Sequence, residues 1–380
     1  MDLREIIKKP EDFVVKEVVD IKPSFDGEFS FYILKKKGAT TWDVLGDLSK
    51  RLRRSLRNIG YGGLKDKNAL TFQYITIKDG PKKDIIGKNY LLSYLGQTKT
   101  PMSKDLLKGN VFEITLRNVK RFEELSKEIE FVKKYGVVNY FDDQRFGSVR
   151  HKKGFCAKEI ILKNYERALY LLLVEGSHYD FLRTLSFRKC LKRHWGDFSK
   201  CISLAPSPWE RRLLEFLTKH KKSKRTFKRA LGLVNKEYLL MLCQTYQAYI
   251  WNEVAKLLLV EKEIDYKEVK YIPGTLFFYR EISDEVLKEL KELKIPLPSP
   301  KLDLDPDLEK IFKKVLEAEG IKDLKMFRTL IKGAIFKSYP RPFLVFPEDV
   351  SLKKEKDVYK LCFFLPKGSY ATLILKRLFF

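Results

Sequence analysis

β-Branched and aromatic residues cluster at Phe13–Val19 and Glu28–Leu34, and both stretches read as strands joined by the turn residues of Lys22–Gly27 (KPSFDG). The period then becomes helical. Thr40 or Thr41 stands where an N-cap belongs, and Trp42, Leu45 and Leu48 share one face. Phe72–Ile77 reads as a strand, Val111–Leu116 alternates like another, and Phe122–Tyr135 is an amphipathic helix closed by Gly136. This alternation predicts one α/β (α+β) unit over residues 1–155. From 156 to 335 the period is mostly helical, with apolar stretches at Ala168–Val174 and Leu239–Leu259. One helix is signposted at Ser283, with acids in its first turn. Another has Asp305 as N-cap, Pro306 at the first helical position and Gly320 past its end. Ile295–Pro300 (IPLPSP) connects the two, and strand character returns at Pro342–Phe346 and Tyr359–Leu365. The simplest topology is a domain made of 1–155 and 336–380, interrupted by a helical insertion at 156–335.

Composition narrows the function. With 380 residues, 44% of them hydrophobic, the chain is long enough for two cored domains. Lys and Arg number 76 against 50 Asp and Glu, a net charge of +26, which calls for a polyanionic partner. Nucleic acid comes first and an anionic membrane second. No apolar run approaches the roughly 20 residues of a spanning helix, and the start, MDLREIIKKPEDF, lacks the apolar core of a leader. The expectation is a cytoplasmic protein with no membrane partner. Five scattered cysteines without a C-x-x-C pair predict neither a structural zinc site nor a disulfide framework. The four histidines have no H-x-x-x-H spacing, which disfavours metal catalysis. Basic runs recur at Arg51–Arg57, Arg150–Lys153, Arg188–His194 and Lys219–Arg229. One such run is usually a solvated face, but four with aromatics interleaved favour phosphate contacts.

Candidate chemistry lies in Gly60–Gln73, GYGGLKDKNALTFQ. Gly62 and Gly63 let the backbone turn sharply and something bulky approach, and Lys65 and Lys67 flank Asp66. An acid between two bases on a glycine turn has the surroundings of a catalytic group. The plain alternative is a turn aspartate with its lysines in water.

This segment resembles the signature of the TruD family of tRNA pseudouridine synthases, roughly G-x-A-G-x-K-D-[KR]-x-A-x-T-x-Q, with Gly62 in place of alanine. Asn139–Arg150 (NYFDDQRFGSVR) resembles the family's N-Y-F-G-x-Q-R-F-G, with Asp142 for glycine, a departure that bears on the local backbone more than on the chemistry because aspartate tolerates left-handed geometry better than most residues. Gln244–Val254 is similar to Y-Q-S-x-x-[FW]-N, with Ala248 for serine, and Phe363–Leu378 to the family's closing strand and helix. The resemblance implies a pseudouridine-synthase mixed sheet with an inserted domain. It also implies isomerisation of a tRNA uridine, at position 13 in the D-arm, to pseudouridine.

That reaction breaks the bond from ribose C1′ to N1 and rejoins C1′ to C5 of the same base, so no small-molecule cofactor or metal is expected. It needs an ionised carboxylate, as nucleophile or as base on the sugar, and Asp66 is the candidate. A cation must keep it charged when RNA excludes water, while Lys65 and Lys67 beside it are expected to bind the substrate. The family uses a lysine just before P-x-D-F, and IIKKPEDF offers Lys8 or Lys9, with Lys8 preferred. A flipped base needs an aromatic platform. The family match selects Phe141, with Tyr140 pointing into the core if the segment is extended, so that Phe141→Ala would spare stability and Tyr140→Ala would not. Asn139 can bind a uracil edge or cap a turn, and Arg145 can hold a phosphate or the Asp66 region. Trp251 and Asn252 read mainly as packing within the insertion. The expected partner is tRNA, bound by a monomer. A non-catalytic RNA-binding protein would explain the charge but would not need the Asp66 turn. A methyltransferase would need a glycine-rich cofactor loop, and GYGG lacks the third glycine of G-x-G-x-x-G.

Overall fold

The computed structural model describes residues 7–117, 119, 122–177 and 180–379, and in it nine strands join into one mixed sheet. In chain order they are β1 (Phe13–Val19), β2 (Phe29–Lys36), β3 (Ile59–Tyr61), β4 (Leu70–Lys78), β5 (Ile85–Gly87), β6 (Tyr90–Thr98), β7 (Leu107–Arg117), β8 (Glu348–Glu355) and β9 (Val358–Pro366). Their order across the sheet is β8-β9-β7-β1-β4-β2-β6-β5, with β3 also paired to β4. Central β4 shares one edge between two partners. Leu70–Phe72 run parallel to Val14–Lys16 of β1, and Ile75–Ile77 run antiparallel to β3. The turn carrying Asp66 therefore leaves β3 and enters β4 in the middle of the sheet.

Helix Thr41–Arg51 packs on this sheet, with Val44, Leu45 and Leu48 against Tyr32, Leu34, Ile75, Ile77 and Leu92. It starts at a reciprocal cap in which Thr40 Oγ1 accepts the Asp43 amide (3.1 Å) and Asp43 accepts the Thr40 amide (2.8 Å). The buried face begins at Thr41 and not at Trp42, which is 48% exposed. Leu45 and Leu48 are buried as expected, and only Trp42 departs, because the inward position of the first turn belongs to the Thr41 hydroxyl with a polar task. The helix Phe122–Tyr135 closes at Gly136, where φ is +69°.

The chain divides into two compact units, residues 1–137 with 345–380, and residues 138–344. Residues 138–155, read from sequence with the first unit, pack in the second because Asn252 bonds both the amide and the carbonyl of Phe141, each at 2.8 Å. The second unit is built around the long helix Lys236–Glu261, whose Trp251 is buried and donates to the Ile295 carbonyl (2.9 Å). Its helices at Asp284–Glu292 and Pro306–Ala318 start on Ser283 and Asp305, both of which cap with their side chains. A hairpin, Tyr266–Tyr271 with Gly274–Tyr279, interrupts the helical stretch. Its aromatic and β-branched residues flank a turn at Ile272–Pro273.

A disulfide overturns one expectation from the cysteine spacing. Cys190 at the end of helix Leu182–Arg193 is bonded to Cys201, with Cα atoms 5.9 Å apart. The reversal around Gly196 (φ +99°) accompanies this pairing, and spacing in the sequence does not register it. Replacing both cysteines by serine is expected to lower unfolding free energy by up to about 3 kcal/mol. Chemical denaturation without reductant would show it, and an unchanged midpoint would mean the bond adds nothing. Among the described residues no helix is long and apolar enough to cross a membrane.

Candidate active site

The Asp66 turn is gripped by side chains from three elements of the first unit. Gln73 on β4 donates through Nε2 to the Gly63 carbonyl, and its Oε1 accepts from the Thr41 hydroxyl (3.1 Å). The same hydroxyl accepts the Lys65 amide (2.9 Å), which explains why Thr41 takes the inward position. Lys36, at the end of β2, is only 1% exposed. Its Nζ donates to the carbonyls of Ala39 (3.0 Å), Lys65 (3.3 Å) and Asp66 (2.8 Å), so each ammonium proton has an acceptor. Burial pushes the Lys36 pKa down to about 8; the Asp66 and Asp43 charges oppose this and the Lys65 charge adds to it.

Lys65 turns inward, with Nζ 2.6 Å from Glu17 Oε1 on β1 and both side chains buried. Glu17 also accepts the Tyr74 amide (2.8 Å), yet burial outweighs both partners and raises its pKa. Asp66 itself is exposed, and one carboxylate oxygen accepts the Asn68 amide (2.9 Å). Lys67 is exposed beside it. The close approach foreseen for Gly62 and Gly63 is sharpest at Gly60, where a Cβ would lie 2.6 Å from the Met102 carbonyl oxygen.

Upstream, the Lys8 and Lys9 amides donate to Asp12 (3.1 and 3.0 Å), which is also bound by Arg117 (Nη2 to Oδ1, 2.7 Å). The acid of P-x-D-F therefore anchors the start of β1. Neither Lys8 nor Lys9 forms an ion pair with Asp66 among the described residues. The ammonium buried at the turn is that of Lys36, a residue the sequence-based choice between Lys8 and Lys9 did not include.

The other candidates lie in the second unit. Asn139 is buried and its amide is already engaged. Oδ1 accepts from Arg341 Nη2 (2.7 Å), and Nδ2 donates to the Pro342 carbonyl (3.3 Å). Phe141 is 2% exposed, with the Arg341 guanidinium 4.1 Å from its ring centroid and Trp251 edge-on at 5.8 Å. Tyr140 is buried as well, its hydroxyl donating to the Phe277 carbonyl (3.0 Å). The alternation argument fails because the strand ends at Val138, and beyond it neighbours need not face opposite ways. Asp142 has φ −107°, so its glycine-like position needs no left-handed backbone. Arg145 is half-buried, 5.7 Å from the Phe141 ring, and its Nε has no hydrogen-bond partner among the described residues.

The family model of TruD, tRNA pseudouridine synthase D, matches residues 4–378. The chain belongs to the TruD family. It is 32% identical to tRNA pseudouridine synthase D of Aquifex aeolicus, over all of this chain and 98% of that one. It is 34% identical to a probable tRNA pseudouridine synthase D of Methanocaldococcus jannaschii, over 98% and 90%. The crystal structure of a putative TruD from Methanosarcina mazei superposes with a TM-score of 0.69 at 25% identity, covering 98% of this chain and 92% of that one.

In this TruD protein the sequence reading missed Lys36 and Glu17. Lys36 sits in the run Lys35–Lys37, which looks solvated. The available signal was parity: Tyr32 and Leu34 share its face of β2 and both are buried. Glu17 carried no signal, because its partner Lys65 is met only through the β1–β4 pairing.

Proposed function

We propose that this TruD protein converts a uridine of tRNA, at position 13 of the D-arm, to pseudouridine with Asp66 as the catalytic carboxylate. The observation that carries the reading is an exposed carboxylate on a turn whose backbone is bound at Gly63, Lys65 and Asp66 by buried side chains. Asp66 attacks C1′ as a nucleophile, or removes a sugar proton as a base, while the C1′–N1 bond breaks. The base turns, C5 joins C1′ as the Asp66–C1′ bond breaks (or as the sugar takes its proton back from Asp66), the C5 proton leaves and N1 gains one. Fixing the turn beforehand removes the cost of placing the carboxylate at the sugar. Lys36 and Lys65 are positioning residues, and the exposed Lys67 and the half-buried Arg145 meet phosphate. Asn139 and Phe141 shape their block through Arg341 and Asn252. Incubating a tRNA transcript with purified protein and mapping pseudouridine should give one modified site in the D-arm. No pseudouridine under conditions where tRNA binds would overturn the proposal.

Lys36 sets an expected pH dependence. Its folded pKa lies below the ordinary 10.5, so between about 8 and 10.5 the unfolded chain holds more protons than the folded one. On that account stability rises with pH across this window. The turn behaves in the opposite sense, because above about 8 the Lys36 amine is neutral and has two protons for the three carbonyls of Ala39, Lys65 and Asp66. The rate at saturating tRNA is expected to fall as pH rises through about 8, with no matching fall in melting temperature. A flat rate from pH 7 to 9.5 would refute it. With a net charge of +26, affinity for tRNA should also fall linearly in log–log form with salt, measured by filter binding. A salt-insensitive affinity would give the charge another purpose.

A further inference from the structure

A concavity of ≈ 670 Å³ in the second unit combines an aromatic ledge with lysines that have no acidic partner. We infer that it binds one unpaired nucleotide of the RNA, the base lying on the face of Trp195 with Tyr170 bracing that ring edge-on, and the phosphate received by Lys163, Lys222 and Lys224. The inference rests on the reading that the substrate is RNA. It adds a site formed entirely within residues 138–344.

The ledge is held in place. Trp195 lies in the loop closed by Cys190–Cys201, and its indole N–H donates to Glu166 Oε1 (3.1 Å). Tyr170 meets it edge-on at 4.9 Å and Phe198 at 5.3 Å, so the ring is fixed while remaining half exposed. A rigid, partly exposed indole loses little entropy when a base stacks on it.

The charge around the ledge is unbalanced. Lys163, Lys222 and Lys224 are exposed, and none forms an ion pair among the described residues. The one acid lining the concavity is Glu166, whose Oε1 takes the indole N–H. Arg167 lies over the Tyr170 ring at 5.5 Å and donates to the Lys153 carbonyl (3.2 Å), so it braces the ledge. Like charges converging without a counter-charge repel one another, and a bound anion relieves that repulsion. A bare phosphate or an acidic peptide would need the lysines alone. An aromatic face beside them fits a group that carries both a flat base and a phosphate. The volume lies within the usual range for small-molecule sites, about 300–1,000 Å³. The nucleotide must be unpaired, because a base inside a duplex already has both faces stacked.

The test uses the full chain and a tRNA transcript. Trp195→Leu should weaken tRNA binding by about 5- to 150-fold, the range of one lost base stack, and leave the salt slope as in wild type. The pair Lys222→Ala and Lys224→Ala should reduce the slope of log K against log salt by about 1.4–1.8. Trp195→Phe should keep most of the affinity. If Trp195→Leu does not fold, the emission lost in Trp195→Phe identifies the Trp195 signal, and that signal in wild type should be quenched by a short oligouridylate. Affinity unchanged in both variants, or no quenching, overturns the site. A loss confined to the lysine pair also overturns it and leaves a plain phosphate track. Pseudouridine formation by wild type is scored separately, so binding that depends on Trp195 without turnover would refute the activity and keep the pocket.

Discussion

Asp66→Asn is expected to lower the rate of pseudouridine formation at saturating tRNA by about 10⁴- to 10⁶-fold, the range for losing one member of a catalytic group. Asparagine matches aspartate in shape, and its side-chain oxygen can still accept the Asn68 amide that Asp66 accepts at 2.9 Å. The turn is held mainly through its backbone, by Gln73, Thr41 and Lys36, and none of those contacts uses the Asp66 carboxylate. What the substitution removes is the charge and the nucleophilic oxygen. Because Asp66 is exposed, stability should stay within about 0.5 kcal/mol of wild type, and tRNA affinity should change little. Single-turnover assays at saturating enzyme, with tritium release from C5-labelled uridine as readout, separate chemistry from binding. A rate within tenfold of wild type would remove Asp66 from the reaction.

Phe141→Ala is expected to cost about 3–5 kcal/mol of unfolding free energy, the range for a large buried aromatic. This reverses the expectation from the sequence that Phe141 could be removed without loss of stability. Arg341 lies over the ring and Trp251 meets it edge-on. Removing the ring leaves a void beneath a guanidinium whose other bonds, to the Asn139 and Tyr140 carbonyls, keep it in place. Tyr140→Ala should cost a similar amount, since that side chain is also buried and gives up a hydrogen bond to Phe277. Guanidinium denaturation of both variants gives the comparison. Should Phe141→Ala keep wild-type stability and lose turnover, the ring must leave this packing to meet the base, and its role is the stacking one.

The sequence by itself determined the features whose causes are local. The strand Phe13–Val19, the capped starts at Thr40, Ser283 and Asp305, and the Gly136 stop depend on residues within a turn or two of each other. The Asp66 turn was legible for the same reason, since its glycines, flanking lysines and Gln73 lie in one short run. Only the tertiary structure decided which side chains face inward at the site. Lys36 becomes a buried clasp because β2 ends beneath the Asp66 turn, and Lys65 is drawn in because β1 brings Glu17 beside it. Asn139 is committed to Arg341, 202 residues away, and Phe141 to Asn252, 111 residues away. Such pairings are set by chain closure over long separations, and hydrophobic period carries no information about them. A strand's alternation likewise says nothing once the strand has ended, which is why Tyr140 and Phe141 are both buried where opposite faces were expected.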